Sequence, residues 1–378
     1  MKTLVSNTRK WALAAVAVLM INSAFAPPQK TKEQQSIMLA ILLDTSNSMD
    51  GLIDQAKSQL WKIVNELAAA KCADGRKPHI KIALYEYGND RLPSSEGYIR
   101  MVNPLTDDLD LISEKLFSLT TNGGSEFCGQ VIQTSLKQLN WSDSQADLKM
   151  IFIAGNEPFT QGSVSHRLAC GVAKEKDVVV NTIHCGNFEE GIRTQWKEGA
   201  DLTGGNYMSI EQDRKTVYIA SPYDDKIASL NDQLNKTYVY YGESGDKKRE
   251  SQATQDSNAA SYGQANKVER AVSKSSHAYR NSSWDLVDAS KEDEQAIVKA
   301  EEKYLPTEMK GMNGDQRKVY VKQKAAEREK IQQEIQTLNK KRQEYILQNT
   351  PKELADNMLD AAMLKAIREK ARVKNLSF

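Results

Sequence analysis

From Ile37 to Tyr241, short apolar runs alternate with stretches whose apolar residues recur every three or four positions, as expected of βα units feeding a mostly parallel sheet. Six runs predict strands: Ile37 to Leu43, His79 to Tyr87, Tyr98 to Val102, Leu148 to Ala154, Val178 to Cys185 and Asn206 to Ile210. Between them Leu52, Ala56, Leu60, Ile63, Val64 and Leu67 fall at helical spacing. The same holds for Leu109, Ile112, Leu116 and Leu119, for Val131, Ile132, Leu136 and Leu139, and for Trp196 and Ala200. Met150 to Ala154 and Val178 to Ile183 carry apolar residues on both faces, which suits central strands covered by helices on each side. The fold class is therefore α/β, a doubly wound, mostly parallel six-stranded sheet. Only about ten residues separate the second run from the third, too few for a helical crossover, so Tyr98 to Val102 is expected as an antiparallel edge strand. A last amphipathic helix, Pro222 to Asn235, would close the layer, with Pro222 suited to its first turn.

The pattern changes after Gly242. Ser, Asn, Gln, Lys and Glu dominate, and residues 243–291 read as a polar linker with one short helix carrying Ala265, Val268 and Ala271. Residues 292–378 read as a C-terminal helical region. Val321, Ile331, Ile335, Leu338 and Tyr345 fall near a seven-residue repeat, yet Lys324, Arg328 and Arg342 occupy seam positions. An α-helical hairpin fits better than a self-standing coiled coil. Asn349-Thr350-Pro351 would break the first helix, and Leu354, Met358, Leu364 and Ile367 would stripe the second.

Composition adds bounds. The chain has 378 residues, 40% hydrophobic and 27% charged, with a net charge of +1, so no global field favours nucleic acid or an anionic membrane. At the N-terminus, Lys2, Arg9 and Lys10 precede an apolar stretch, Trp11 to Phe25, that closes on Ala24-Phe25-Ala26. This is the form of a signal peptide over residues 1–26, with Pro27 leaving the cut position open. A stretch of about 15 apolar residues is short for a membrane span, so a periplasmic or secreted location is expected. An oxidising compartment makes Cys72, Cys128, Cys170 and Cys185 disulfide candidates; buried free thiols are the alternative. His184, Cys185 and Cys170 include no close pair of the kind that holds zinc.

The chemistry concentrates at Asp44, Ser46 and Ser48, which stand as DTSNS where the first strand ends. One carboxylate and two hydroxyls on one turn offer oxygen donors to a small hard cation. The spacing resembles the DxSxS opening of the metal-ion-dependent adhesion site in the von Willebrand factor A family. That resemblance implies this fold over residues 37–242, with a metal held by three loops at the carboxyl ends of the strands. It implies Mg2+, Mn2+ or Ca2+ as the ion. The Gly-rich turn Thr121-Asn122-Gly123-Gly124-Ser125 fits the second loop, with Ser125 where the family usually has Thr. The third loop departs. The family usually has an aspartate after the central strand, whereas this chain reads Ala154-Gly155-Asn156-Glu157. Gly155 or Asn156 takes that place, and Glu157 is the nearest carboxylate. Losing one anionic ligand would weaken ion affinity and leave the ion more electropositive toward a partner's acidic group.

The resemblance also extends to exported bacterial proteins of this family with a similar helical tail. The expected function is an interaction module, not an enzyme, that binds a protein or acidic ligand through the metal, with self-association through the tail as a further contact. An assembly protein with a vestigial site is the alternative. A metal-assisted hydrolase is a third reading, against which stands the absence of a GxSxG elbow.

Overall fold

Strict alternation along β1 (Ser36–Asp44) sends Ile37, Leu39 and Leu43 to one core and Ala40 and Leu42 to the other. Such a strand needs cover on both faces, and it lies in the middle of the sheet. The computed structural model describes residues 34–211, 213, 218–349 and 359–378, and Gln35–Phe378 form one compact unit. The leader pattern of residues 1–26, and Thr350, Pro351, Leu354 and Met358 of the tail, lie outside the described residues. With β2 (His79–Tyr87), β3 (Ile99–Thr106), β4 (Leu148–Gly155), β5 (Val179–Cys185) and β6 (Tyr207–Ile210), the sheet order is β3-β2-β1-β4-β5-β6. All neighbours are parallel except β3, which runs antiparallel to β2 as the short connection required. The β1–β2 register pairs Asp44 with Tyr87, so both residues end at the same edge.

Helices α1 (Asp50–Ala69) and α2 (Leu109–Phe117) fill one face; α3 (Cys128–Gln138) and α4 (His166–Glu175) help to fill the other. Periodicity does not reveal α4. Its buried positions are His166, Ala169, Cys170 and Ala173, while Leu168 is 71% exposed. Two short helices, α5 (Phe188–Arg193) and α6 (Trp196–Asp201), lead into β6.

The second half is where expectation and structure part. The Pro222 to Asn235 helix forms as α7 (Asp224–Asn235). Residues 243–291 are not a linker: they form α8 (Gly245–Ser261), α9 (Gln264–Lys274) and the start of α10 (Leu286–Glu292), all packed on the domain. Many of their buried groups are polar and are hydrogen-bonded to one another or to the domain, which composition alone cannot reveal. Gln252 donates to Tyr279 Oη at 2.9 Å, Ser113 Oγ donates to Gln255 Oε1 at 2.9 Å, and Asp256 accepts from Arg270 at 2.9 Å and Lys274 at 2.8 Å.

The tail is helical as expected, through α11 (Gln295–Lys299), α12 (Gly314–Asn349) and α13 (Leu359–Val373), but α12 and α13 are not paired as a hairpin. α12 lies along α7, α9, α10 and α11, whereas α13 crosses α1 and β4 to β6, closing the face expected to be covered by α7. The charged seam residues explain the choice. Arg328 is buried and holds Asp285 through two bonds of 2.6 and 3.0 Å, and Arg342 reaches Asp224 at 2.9 Å and Glu269 at 2.6 Å. On α13, Leu359, Met363, Leu364 and Ile367 are buried in the main core. Lys71 and Ser377 exchange backbone bonds of 2.8 and 2.9 Å, fastening the chain's end. Among the described residues no helix is long and apolar enough to cross a membrane.

The four disulfide candidates are buried free thiols. Cys72 and Cys185 belong to one core and Cys128 and Cys170 to the other. Cys128 contacts Tyr87 Oη at 3.8 Å and Cys170 donates to the Gly199 carbonyl at 3.4 Å.

Candidate metal site at the carboxyl edge of the sheet

β1 delivers Asp44 fully buried to the sheet edge, where the chain turns sharply. Asp44 Oδ1 accepts from the Ser46 backbone N–H at 2.7 Å, and Ser46 and Ser48 bring their hydroxyl oxygens to 3.2 Å of each other. Three donors of the DTSNS turn are thus together. The third loop joins them through Asn156, whose Nδ2 donates to Ser48 Oγ at 3.1 Å. Of the two positions open in sequence, Asn156 faces the site.

Gly155 could not carry the family's aspartate. A Cβ there would lie 2.5 Å from Tyr87 Oη and 3.2 Å from Asp44 Cβ. The Tyr87 hydroxyl is fixed by donating to the Ala154 carbonyl at 2.9 Å. Glu157 is exposed; its backbone N–H lies near the Glu126 carboxyl and its carbonyl accepts from Trp196 Nε1 at 2.9 Å. It does not swing its carboxylate into the cluster.

The second loop is tied to the first by Asn122 N–H donating to the Thr45 carbonyl at 2.9 Å. Gly124 passes so close to Gly88 that any side chain would overlap its carbonyl oxygen. Ser125, the residue expected to supply the hydroxyl, is half-buried and makes no hydrogen bond among the described residues. The next residue turns in instead. Glu126 is 4% exposed and lies within hydrogen-bonding reach of Asp44 and Ser46. Sequence reasoning passed over Glu126 because it matched the turn to a hydroxyl. The available signal was a carboxylate immediately after the Gly-Gly-Ser turn and two residues ahead of α3.

Burial, with the neighbouring Glu126 carboxyl, pushes Asp44 well above the usual carboxylate range, and the Ser46 bonds offset only part of this. Burial raises Glu126 as well. Burial first, and the two carboxyls second, raise the Cys185 thiol nearby.

Among the described residues, three oxygens at this edge are buried without a hydrogen-bond donor: Asp44 Oδ2, Glu126 Oε2 and Asn156 Oδ1. An unpaired buried oxygen is costly, and a hard cation satisfies several at once. The residues therefore fit a divalent ion: Asp44, Ser46, Ser48 and Asn156 would hold it, and its Lewis acidity would attract an external oxygen. Among the described residues no three His, Cys, Asp or Glu side chains cluster as metal ligands, so hydroxyl and amide oxygens must complete any such set. His184, on β5 beside the site, is a buried core residue against Trp196, 5.7 Å between ring centroids, with both ring nitrogens unpartnered. Burial lowers its pKa.

A parallel sheet with one antiparallel edge strand, and a DxSxS turn after its central strand, decides the architecture. The fold is that of a von Willebrand A domain. Solved structures similar to this chain include such a domain. BatB from Bacteroides thetaiotaomicron is 16% identical, with 46% of this chain and 90% of that chain covered at a TM-score of 0.35. The SpRpn10 VWA domain is also 16% identical, with 46% and 88% covered and a TM-score of 0.35. Proximal thread matrix protein 1 from the mussel byssus, described with a zinc-occupied adhesion-site motif, is 13% identical, with 48% and 43% covered and a TM-score of 0.35. No family model and no curated protein sequence matches the chain. The sheet order and register carry the fold assignment.

Proposed function

We propose that this von Willebrand A domain is an exported interaction module that binds a protein or acidic ligand through a divalent cation at Asp44, Ser46, Ser48 and Asn156. The observation that carries the reading is a fully buried Asp44 whose Oδ2 lacks a donor, beside two hydroxyls and an amide at one sheet edge. Mg2+ or Mn2+ suits an all-oxygen set of this size, and Ca2+ would use additional waters. A ligand carboxylate would complete the coordination; the role is recognition, with no bond made or broken. Two histidines are engaged elsewhere, His79 with Asp107 at 2.8 Å and His166 with Glu198 at 3.3 Å, which supports a binding role over an imidazole-based hydrolase. Export is proposed from the leader pattern of residues 1–26.

Thermal unfolding with and without Mn2+ tests the ion. With free ion at about 100 times its Kd, the wild type should gain about 2.7 kcal/mol, and Asp44→Asn should gain nothing. An equal gain in both proteins, or none in the wild type, contradicts the reading.

A further inference from the structure

The third loop brings no carboxylate to the site, yet the structure places a second one there from an unexpected direction. Glu126 enters from the Gly-rich second loop, one residue past the hydroxyl that aligns with the adhesion-site pattern. A Cβ at Gly88 would come within 2.7 Å of Asp44 Oδ1 and 2.8 Å of Glu126 Cγ, so the two acidic side chains pack against the same turn. The Glu157 backbone N–H and Ser46 lie close to the Glu126 carboxyl. Its own backbone N–H donates to Gln161 Oε1. Glu126 is therefore buried beside Asp44 and is not a loose surface residue. Two buried carboxyl groups in contact repel one another as anions, and each keeps an oxygen without a donor.

We propose that Glu126 is a ligand of the divalent ion, supplying from the second loop the anionic oxygen that Gly155 and Asn156 deny from the third. The proposal rests on the metal-site reading and changes its electrostatics. Asp44 and Glu126 together balance the ion's two charges, so the protein holds the ion more firmly, and an incoming carboxylate meets a formally neutral centre. Ser125 is then a bystander.

Titration calorimetry with Mn2+ on wild type, Glu126→Gln and Ser125→Ala tests this, with circular dichroism in EDTA to verify each fold. Glu126→Gln keeps the shape and removes the like-charge contact, so the metal-free protein should fold as well as the wild type. Its Mn2+ affinity should fall at least about 10-fold, because carboxylate count moves hard-cation affinity by decades. Ser125→Ala should bind as the wild type does. Glu126→Asp, one methylene short, should lie between and serves as the second variant if Glu126→Gln folds poorly. Wild-type affinity in Glu126→Gln overturns the role of Glu126 while leaving the metal site standing. Loss confined to Ser125→Ala does the same. No binding by the wild type overturns both.

Discussion

At the scale of single residues, the site departs from the adhesion-site pattern because of volume as much as charge. Tyr87 Oη, locked on the Ala154 carbonyl, fills the space that a third-loop side chain would enter. Gly155→Ala should therefore destabilise by about 1–3 kcal/mol through overpacking, measurable as a lower urea midpoint. An unchanged midpoint would show that Tyr87 yields. The pH dependence has a definite sign. Asp44 is raised in the folded state, so its contribution is present below the usual carboxylate range and is lost as pH rises through its raised value. The metal-free protein should lose thermal stability as pH climbs from the acid side toward neutrality, more steeply than Asp44→Asn. Parallel profiles for the two proteins would remove Asp44 from the account. Sequence exposed Asp44, Ser46 and Ser48 because their spacing is local. Glu126 escaped because its role depends on a contact made across two loops.

Among the elements, the six strands were legible because burial on both faces writes itself as continuous apolar runs. α4 was not, since its buried stripe is made of Ala and Cys while its Leu and Val residues face outward. Within residues 243–291 the short helix carrying Val268 and Ala271 was legible and forms as α9, with both residues in the main core. α8 was missed for a related reason: its buried side chains are Gln252, Gln255 and Ala259. Charge also holds this region. Arg270 lies between Asp110 at 2.6 Å and Asp256 at 2.9 Å, with Trp61 and Tyr279 rings at 4.4 and 5.0 Å. Burial would raise Asp256, but the Lys274 and Arg270 charges outweigh it and hold its carboxyl far below the usual range. A depressed carboxyl stabilises above its unfolded pKa and loses that contribution as pH falls through the folded value. Hydrogen exchange in α9 should therefore accelerate on strong acidification, and Asp256→Asn should show that fast exchange already at neutral pH. Slow exchange in Asp256→Asn would mean that apolar packing alone holds α9. Arg328 makes a sharper case. Arg328→Met leaves Asp285 buried without its partner and should cost about 3–5 kcal/mol in urea unfolding. A cost below about 1 kcal/mol would show that the pair is not what anchors α12.

Across the whole molecule, the tail completes the domain. α12 and α13 bury Ile331, Ile335, Met363 and Ile367 in the main core, so these apolar positions pack within the same chain. A chain ending at Asn349 loses α13 and should unfold at markedly lower temperature and bind hydrophobic dye, whereas an unaltered transition would make α13 dispensable. With the tail packed on the domain, the carboxyl edge presents two carboxylates, two hydroxyls and an amide. Anomalous diffraction from crystals soaked in Mn2+ tests that edge most directly. One manganese peak is expected, bounded by Asp44, Ser46, Ser48 and Glu126; density for solvent alone between those oxygens at saturating Mn2+ would contradict the account.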